Sequence, residues 1–214
     1  FHCTSNNTIF GTQIKDFPSL EIPLICDMSS DIFSRQLDFS KFDLIYAGAQ
    51  KNMGPAGTTV IIIKEDILGK VERTIPSMLN YKVHLGKESM FNTPAVFPIY
   101  VSMLTLEWLK NLGGIPFIEK VNQKKADLLY GEIDRNPLFS GIVAKEDRSI
   151  MNATFSLQDN ALTDRFDMLW KEARINGLNG HRSVGGYRAS MYNALPLFSV
   201  QALVDTMQEL ERKA

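Results

Sequence analysis

The chain has 214 residues, of which 44% are hydrophobic and 22% are charged, the usage of an ordinary globular protein rather than of a disordered or fibrous chain. Its 23 Lys and Arg residues nearly balance its 24 Asp and Glu residues, for a net charge of −1. No polybasic tract is present, so composition gives no support to binding of nucleic acid or of an anionic membrane. The longest strongly apolar run, residues 59–63, is too short to span a bilayer.

The two cysteines and the start of the chain bear on its cellular location. Cys3 and Cys26 are too few to form the disulfide framework of a chain of this length, so a reducing compartment, the cytoplasm, is predicted. No charged start followed by an apolar core marks a signal peptide. The sequence begins without Met in strand-like residues, and we expect the true N-terminus to lie outside it.

The first half of the chain predicts strands. Residues 22–26 form a continuous apolar run that ends at Asp27, typical of a strand buried on both faces. Residues 42–47 and 58–63 predict two more strands. The loop between these two, residues 48–57, contains three Gly and one Pro, which excludes a regular helix there.

The second half predicts helices and then a mixed α+β pattern. Apolar periodicity predicts helices over residues 94–112 and 116–134, the first followed by Gly113 and Gly114. Strands are predicted over 149–157 and 187–192, and helices over 163–176 and 199–213. The overall prediction is an α/β fold: residues 1–111 form part of a domain with a mainly parallel sheet, and residues 112–214 form a smaller α+β domain.

Asp27 and Lys51 are the first candidate site residues. Each follows a predicted strand, and in a parallel sheet the carboxyl ends of neighbouring strands share the edge where ligands bind. Taken singly, Asp27 is equally typical of a turn cap and Lys51 of a surface lysine. Together they match the needs of pyridoxal phosphate, in which a lysine amine binds the aldehyde carbon and a carboxylate pairs with the ring nitrogen. Thr8, in a polar cluster that could equally be a turn, is a candidate for contact with the ring.

Two further stretches suggest anion sites. Residues 180–188 place His181, Arg182 and Arg188 around a Gly pair, and arginine forks bind carboxylate and phosphate in a bidentate manner. A solvated basic turn is the alternative. Asn92 and Thr93 precede a predicted helix, where backbone N–H groups favour phosphate, although either residue could simply cap that helix.

These stretches resemble the phosphoserine aminotransferases, fold-type I pyridoxal-phosphate enzymes of class V. The resemblance covers the whole chain in family order and rests on CDMSS (26–30) with Ser34 and Arg35, IYAGAQKN (45–52), MFNTP (90–94), Arg148-Ser149 with Met151-Asn152, and GHRSVGGYRASMYNA (180–194). It implies that residues 1–111 are the C-terminal part of the family's large cofactor-binding domain and that residues 112–214 are its small domain. The segment that supplies the aromatic stacked on the cofactor is then expected to precede this chain.

The resemblance also implies roles for the candidate residues. Lys51 would form the imine with pyridoxal phosphate, Asp27 would pair with the ring nitrogen, and Gln50 and Thr8 would contact the phosphate and the ring. Asn92 and Thr93 would reach the cofactor phosphate of the second subunit of a homodimer. His181 and Arg182 would bind the substrate phosphate, and Arg188 its α-carboxylate. Asn179 departs from the family, which commonly has Lys before Gly-His-Arg.

The expected activity is transamination between O-phospho-L-serine with 2-oxoglutarate and 3-phosphooxypyruvate with L-glutamate, in serine biosynthesis. Action on 4-phosphooxy-L-threonine, in pyridoxine biosynthesis, is a further possibility. No metal, nucleic-acid or membrane partner is predicted. Two alternatives stay open at this point: another fold-type I aminotransferase of the alanine–glyoxylate or serine–pyruvate type, and a catalytically incomplete chain that only binds anions or dimerises.

Overall fold

The computed structural model describes residues 1–214, which form two sheets, a small hairpin and a set of covering helices. The strands are β1 (His2–Thr4), β2 (Asn6–Asn7), β3 (Thr12–Gln13), β4 (Ile25–Asp27), β5 (Leu44–Gly48), β6 (Thr59–Ile63), β7 (Phe139–Gly141), β8 (Asn152–Leu157) and β9 (Tyr187–Ser190). The α-helices are α1 (Tyr81–Leu85), α2 (Val96–Asn111), α3 (Gly114–Arg135), α4 (Thr163–Glu172) and α5 (Leu197–Lys213). None of these helices combines the length and hydrophobicity needed to cross a membrane.

The first sheet has the strand order β1-β4-β5-β6 and confirms a mostly parallel arrangement. Strands β1, β4 and β5 are mutually parallel, with Cys3 beside Cys26 and Cys26 beside Ile45. Strand β6 instead runs antiparallel to β5. The connection from β5 to β6 is only the loop of residues 49–58, shorter than a crossover to a parallel neighbour requires.

The three strands predicted in the first half are present as β4, β5 and β6, and the first two start two or three residues later than the apolar pattern predicts. Strand β4 begins at Ile25 because Leu24 N–H donates to the Asp43 carboxylate (2.7 Å) instead of to a neighbouring strand. Strand β5 begins at Leu44. Residues 49–57 are a succession of turns, as predicted.

The second half is built on the antiparallel sheet β7-β8-β9, and its predicted helices and strands are all present with shifted ends. Helix α4 stops at Glu172, four residues early, because Arg174 adopts a left-handed backbone (φ 58°) and Ile175 N–H closes the helix on the Trp170 carbonyl (2.9 Å). Helices α3, α4 and α5 pack together and cover the sheet.

Two separate hydrophobic cores occupy the two halves. The smaller lies under the first sheet and comprises Phe17, Leu24, Cys26, Met28, Ile32, Phe42, Ile45, Ala47, Ala49 and Met53. The larger begins at Ala126, ends at Leu210 and fills the space between the second sheet and helices α3 to α5. The cores lie on the two sides of the boundary expected near residue 112, and the division into two domains stays a prediction.

Helix α3 buries a face that holds polar as well as apolar residues. The apolar residues Val121 and Leu128 are only half-buried. The buried stripe recurs every three or four residues, as a helix requires, and it includes polar members: Ile118, Asn122, Lys125, Ala126, Leu129, Glu132 and Ile133.

Candidate active site

Lys51 lies in the turn that follows β5 and is half-buried. Its Nζ donates a hydrogen bond to Oγ1 of Thr8 (2.9 Å). Thr8 is at the tip of the β2–β3 hairpin, which reaches over the carboxyl ends of the strands of the first sheet. Lys51 forms no salt bridge, so its amine faces a hydroxyl group rather than an acidic partner.

Asp27 is the last residue of β4, at the same sheet edge as the turn that contains Lys51. Its Oδ1 accepts a hydrogen bond from Ser29 N–H (2.8 Å), so the capping role that the sequence left open is present. Ser29 Oγ in turn accepts a hydrogen bond from Gly48 N–H (3.1 Å). Ser29 therefore ties the end of β4 to the end of β5, three residues before Lys51.

Tyr46 and His2 flank Asp27 on the same face of the sheet. Tyr46 is the β5 residue paired with Asp27, and its Oη lies 3.0 Å from Nε2 of His2. Burial, followed by the negative charge of Asp27, raises the pKa of Tyr46 above its usual value. The Tyr46 hydroxyl is therefore protonated at neutral pH, and Asp27 has no salt-bridge partner.

Arg188 lies on β9, in the other half of the chain, and reaches the hairpin tip. Its Nη1 donates to the carbonyl oxygen of Thr8 (3.4 Å). Its Nε is buried and has no hydrogen-bond partner. A buried cationic donor without an acceptor is costly in free energy, and an anionic ligand would remove that cost. Thr8 thus brings Lys51 and Arg188 to one place.

The loop that contains His181 and Arg182 is a tight turn closed by Gly180 and Gly186. Gly180 N–H donates to the Gly186 carbonyl (2.8 Å), and a Cβ added at Gly180 would lie 2.0 Å from the Gly185 carbonyl oxygen, so only glycine fits there. His181 Nδ1 lies 2.7 Å from Ser183 Oγ. The Arg182 side chain is exposed, and no hydrogen bond or ion pair joins this loop to Lys51.

Gln50, Asn92 and Thr93 are exposed, and none of their side chains hydrogen-bonds to Lys51. Gln50 folds back against β5, since a Cβ on Gly48 would lie 2.6 Å from Gln50 Oε1. Asn92 Nδ2 donates to the Thr93 carbonyl (3.1 Å). The residue at the N-cap of α2 is Ala95, so the alternative in which Asn92 or Thr93 caps that helix is wrong.

The sequence analysis assigned no role to four polar residues that the structure buries: Asn52, Asn122, Lys125 and Asn193. Asn52 directly follows Lys51, and Asn193 lies in the turn after β9. One signal was available, because Asn122 and Lys125 fall on the same helical stripe as the apolar residues of α3. A lysine at such a position is rarely buried without a specific partner.

Comparisons with known proteins agree over almost the whole chain. A family model described as class-V aminotransferase matches residues 1–203. The chain is 71% identical over 213 residues to a phosphoserine aminotransferase of Flavobacterium psychrophilum and 70% identical to that of Flavobacterium johnsoniae. Each match covers 100% of this chain and 60% of the relative, so the chain spans about three fifths of the length of these curated relatives.

Solved structures of phosphoserine aminotransferases are also similar to this chain over almost its whole length. The structure of phosphoserine aminotransferase from Bacillus circulans subsp. alkalophilus matches this chain with a TM-score of 0.95 at 45% identity. The match covers 99% of this chain and 59% of the Bacillus enzyme. The pyridoxal-phosphate-bound enzyme from Trichomonas vaginalis has a TM-score of 0.91 at 37% identity, over 97% of this chain and 60% of its own. An alanine–glyoxylate aminotransferase from Nostoc sp. shares the fold alone. It is 17% identical, with a TM-score of 0.78 over 98% of this chain and 60% of the Nostoc enzyme.

Proposed function

This chain belongs to the class-V aminotransferase family, and we propose that the protein containing it is a phosphoserine aminotransferase. It interconverts O-phospho-L-serine and 2-oxoglutarate with 3-phosphooxypyruvate and L-glutamate, and so serves L-serine biosynthesis in the cytoplasm. The observation that carries this proposal is the meeting of Lys51, Thr8 and Arg188 beside the strand end that holds Asp27.

The residues present fit pyridoxal phosphate. Asp27 is a carboxylate with no salt-bridge partner, and Lys51 is an amine that faces only a hydroxyl group. Asp27 would face the ring nitrogen, Lys51 the aldehyde carbon, Thr8 the ring and Gln50 the phosphate. When bound, this cofactor withdraws electrons from the substrate's α-carbon and makes its proton acidic.

Lys51 would move that proton. Its Nζ would take the proton from the α-carbon of the amino acid and return one on the other side of the reaction, as a general base and acid. The hydrogen bond from Nζ to Thr8 Oγ1 holds the amine over the sheet edge. Ala49 and Met53, on either side of Lys51, are buried in the first core and anchor the turn that carries the amine.

Arg188 would bind the substrate's α-carboxylate. A guanidinium presents a planar fork that matches a carboxylate, and the Nε of Arg188 is buried without an acceptor. His181 and Arg182 would bind the substrate phosphate at the other end of the molecule. The substrate 4-phosphooxy-L-threonine carries the same two anionic ends, so the same groups would accept it, in pyridoxine biosynthesis.

The proposed enzyme is a homodimer in which Asn92 and Thr93 reach the cofactor phosphate of the second subunit. The support is that Asn92 and Thr93 are both exposed, which leaves them accessible to a second subunit.

The test compares amino donors in the intact protein. Phosphoserine should support amino transfer to 2-oxoglutarate, and alanine should do so at least about a hundredfold less efficiently, because alanine lacks the group that His181 and Arg182 would bind. Equal efficiency with both donors would favour an aminotransferase of the alanine–glyoxylate type. Absence of transfer with either donor would contradict the proposal.

A further inference from the structure

A network of buried asparagines connects the two halves of the chain beside Lys51. Asn52 Oδ1 accepts a hydrogen bond from the backbone N–H of Asn193 (3.0 Å). Asn193 Oδ1 accepts from Asn122 Nδ2 (2.9 Å). These residues come from the turn after β5, the turn after β9 and helix α3, so the network joins three elements that are far apart in sequence.

The same network reaches the turn that follows Asp27. Asn193 Nδ2 donates to the carbonyl of Phe33 (3.0 Å) and Asn122 Nδ2 to the carbonyl of Ser34 (2.9 Å). Phe33 has a left-handed backbone (φ 58°), a conformation that costs a bulky residue about 1–3 kcal/mol and persists only where its surroundings impose it. The hydrogen bonds therefore fix this turn as well as the turn after Lys51.

Lys125 anchors the network from helix α3. Its side chain is fully buried, and its Nζ donates to the carbonyls of Met191, Tyr192 and Leu195 at 3.0, 2.9 and 3.1 Å. No carboxylate pairs with it, and burial lowers the pKa of Lys125 to about 8. A buried ammonium without an anion is expensive, and an apolar residue of similar volume often serves stability equally well. The three carbonyls instead indicate a role in shaping the turn of residues 191–195.

That turn follows the strand of Arg188. Only Ala189 and Ser190 separate Arg188 from Met191. The hydrogen bonds from Lys125 fix this turn, and the turn places Asn193 N–H against Oδ1 of Asn52, the residue after Lys51. Lys125, Asn193 and Asn52 therefore connect the turn after the strand of Arg188 to the turn that contains Lys51, in addition to the link through Thr8.

We propose that Lys125 is a positioning residue which, through Asn193 and Asn52, sets Arg188 at the distance from Lys51 that the substrate requires. The inference rests on the proposed function of Arg188 as the carboxylate ligand. Lys125 touches neither substrate nor cofactor and acts only through the placement of Arg188. It should therefore affect the binding of every amino-acid substrate and leave the affinity for pyridoxal phosphate unchanged.

The experiment is a double-mutant cycle in the intact holoenzyme with Lys125→Met and Arg188→Gln. Lys125→Met should raise KM for phosphoserine and for glutamate about tenfold, since displacements of about 1 Å in an active site have effects of this order or larger. The dissociation constant of pyridoxal phosphate should stay within about twofold. In the Arg188→Gln background, Lys125→Met should raise KM no further, because the residue it positions is gone.

A matched control tests for a general effect on the C-terminal half. Asn136 is also buried, and its Nδ2 donates to Glu132 Oε1 (2.8 Å) and the Met207 carbonyl (3.4 Å), away from the turn of residues 191–195. Asn136→Ala should lower stability and leave KM unchanged. If Lys125→Met does not fold, Asn52→Ala, which removes the acceptor for Asn193 N–H, decides the question by the same KM measurements.

The outcomes separate this inference from the proposed function. Additive KM effects in the cycle, or a loss of cofactor affinity in Lys125→Met as large as the rise in KM, would overturn the positioning role alone. An Arg188→Gln variant with unchanged KM would overturn the carboxylate assignment and the positioning role with it. A tenfold, non-additive rise in KM with normal cofactor affinity is the supporting result.

Discussion

Lys51 and Arg188 meet on a single residue, Thr8. The Thr8 side chain accepts a hydrogen bond from the Lys51 amine at 2.9 Å, and its backbone carbonyl accepts one from the Arg188 guanidinium at 3.4 Å. The two cations come from opposite halves of the chain, and each keeps donor capacity beyond its bond to Thr8. The hairpin tip therefore brings together an amine and a guanidinium from the two halves of the chain.

Replacement of Lys51 tests the chemical step. In the intact protein, Lys51→Ala should abolish the cofactor adduct that borohydride reduction traps, and should slow amino transfer by about 10²–10⁴-fold, the usual contribution of a positioned base. Mass spectrometry of the reduced protein measures the adduct. A trapped adduct on the variant would contradict the assignment of Lys51.

Replacement of Thr8 tests the hydroxyl that orients Lys51. Thr8→Val has nearly the same volume and keeps the carbonyl that Arg188 contacts, and it loses the acceptor for Lys51 Nζ. The hydroxyl that valine lacks would contact the bound cofactor ring, and loss of one hydrogen bond to a charged group, about 1.5–3 kcal/mol, should weaken pyridoxal phosphate binding by about tenfold or more in equilibrium titration. Thr8→Ser keeps the hydroxyl and should bind normally. Identical affinities for Thr8→Val and Thr8→Ser would refute the contribution of this oxygen.

The two arginines should differ in the substrates they affect. Arg188→Ala should raise KM for phosphoserine and glutamate alike, because both carry an α-carboxylate, whereas Arg182→Ala should raise it chiefly for phosphoserine. Each loss should be about tenfold or more, typical of a charge-assisted bidentate contact. Arg212, an exposed arginine near the end of α5, supplies the control Arg212→Ala. Equal losses for both substrates in both variants would argue against this division of roles.

Asp134 should make stability depend on pH in the acid range. Hydrogen bonds from Arg148 and Lys145 outweigh burial and lower the pKa of Asp134 from 3.8 to about 2. Because the folded state holds this carboxyl ionised more readily than the unfolded state, its contribution is complete above pH 4 and disappears as the pH falls toward 2. The carboxylate is 30% exposed, so solvent screening leaves a contribution of about 1 kcal/mol.

Urea unfolding of Asp134→Asn in the intact protein measures this contribution. The variant should be less stable than the parent at pH 6, and the difference should vanish near pH 2. Asp205→Asn, at a carboxylate outside every salt bridge, should show a difference near zero at both pH values. A difference for Asp134→Asn that is the same at pH 6 and pH 2 would mean that the ion pairs contribute nothing.

The parts of the site that lie at strand ends could be predicted from the sequence, and the contacts between distant segments could not. The apolar runs before Asp27 and Lys51 predict strands, and the geometry of parallel sheets then places both residues at one edge. Asn52 and Asn193 are separated by 141 residues, and each alone is typical of a turn, so nothing local indicates that they are partners. The antiparallel direction of β6 was predictable, since the loop before it is short.

The β2–β3 hairpin, with Thr8 at its tip, also determines the stage of folding at which the site forms. Its residue Asn6 bonds to Asn152 across 146 positions, and Thr8 bonds to Arg188 across 180. Bringing residues this far apart in sequence together lowers the conformational entropy of the chain. Many other contacts must form to offset that loss, so we expect these contacts to form late in folding. During synthesis the first sheet can assemble before β8 and β9 have left the ribosome. Until then the hairpin lacks its hydrogen bonds to Asn152 and Arg188.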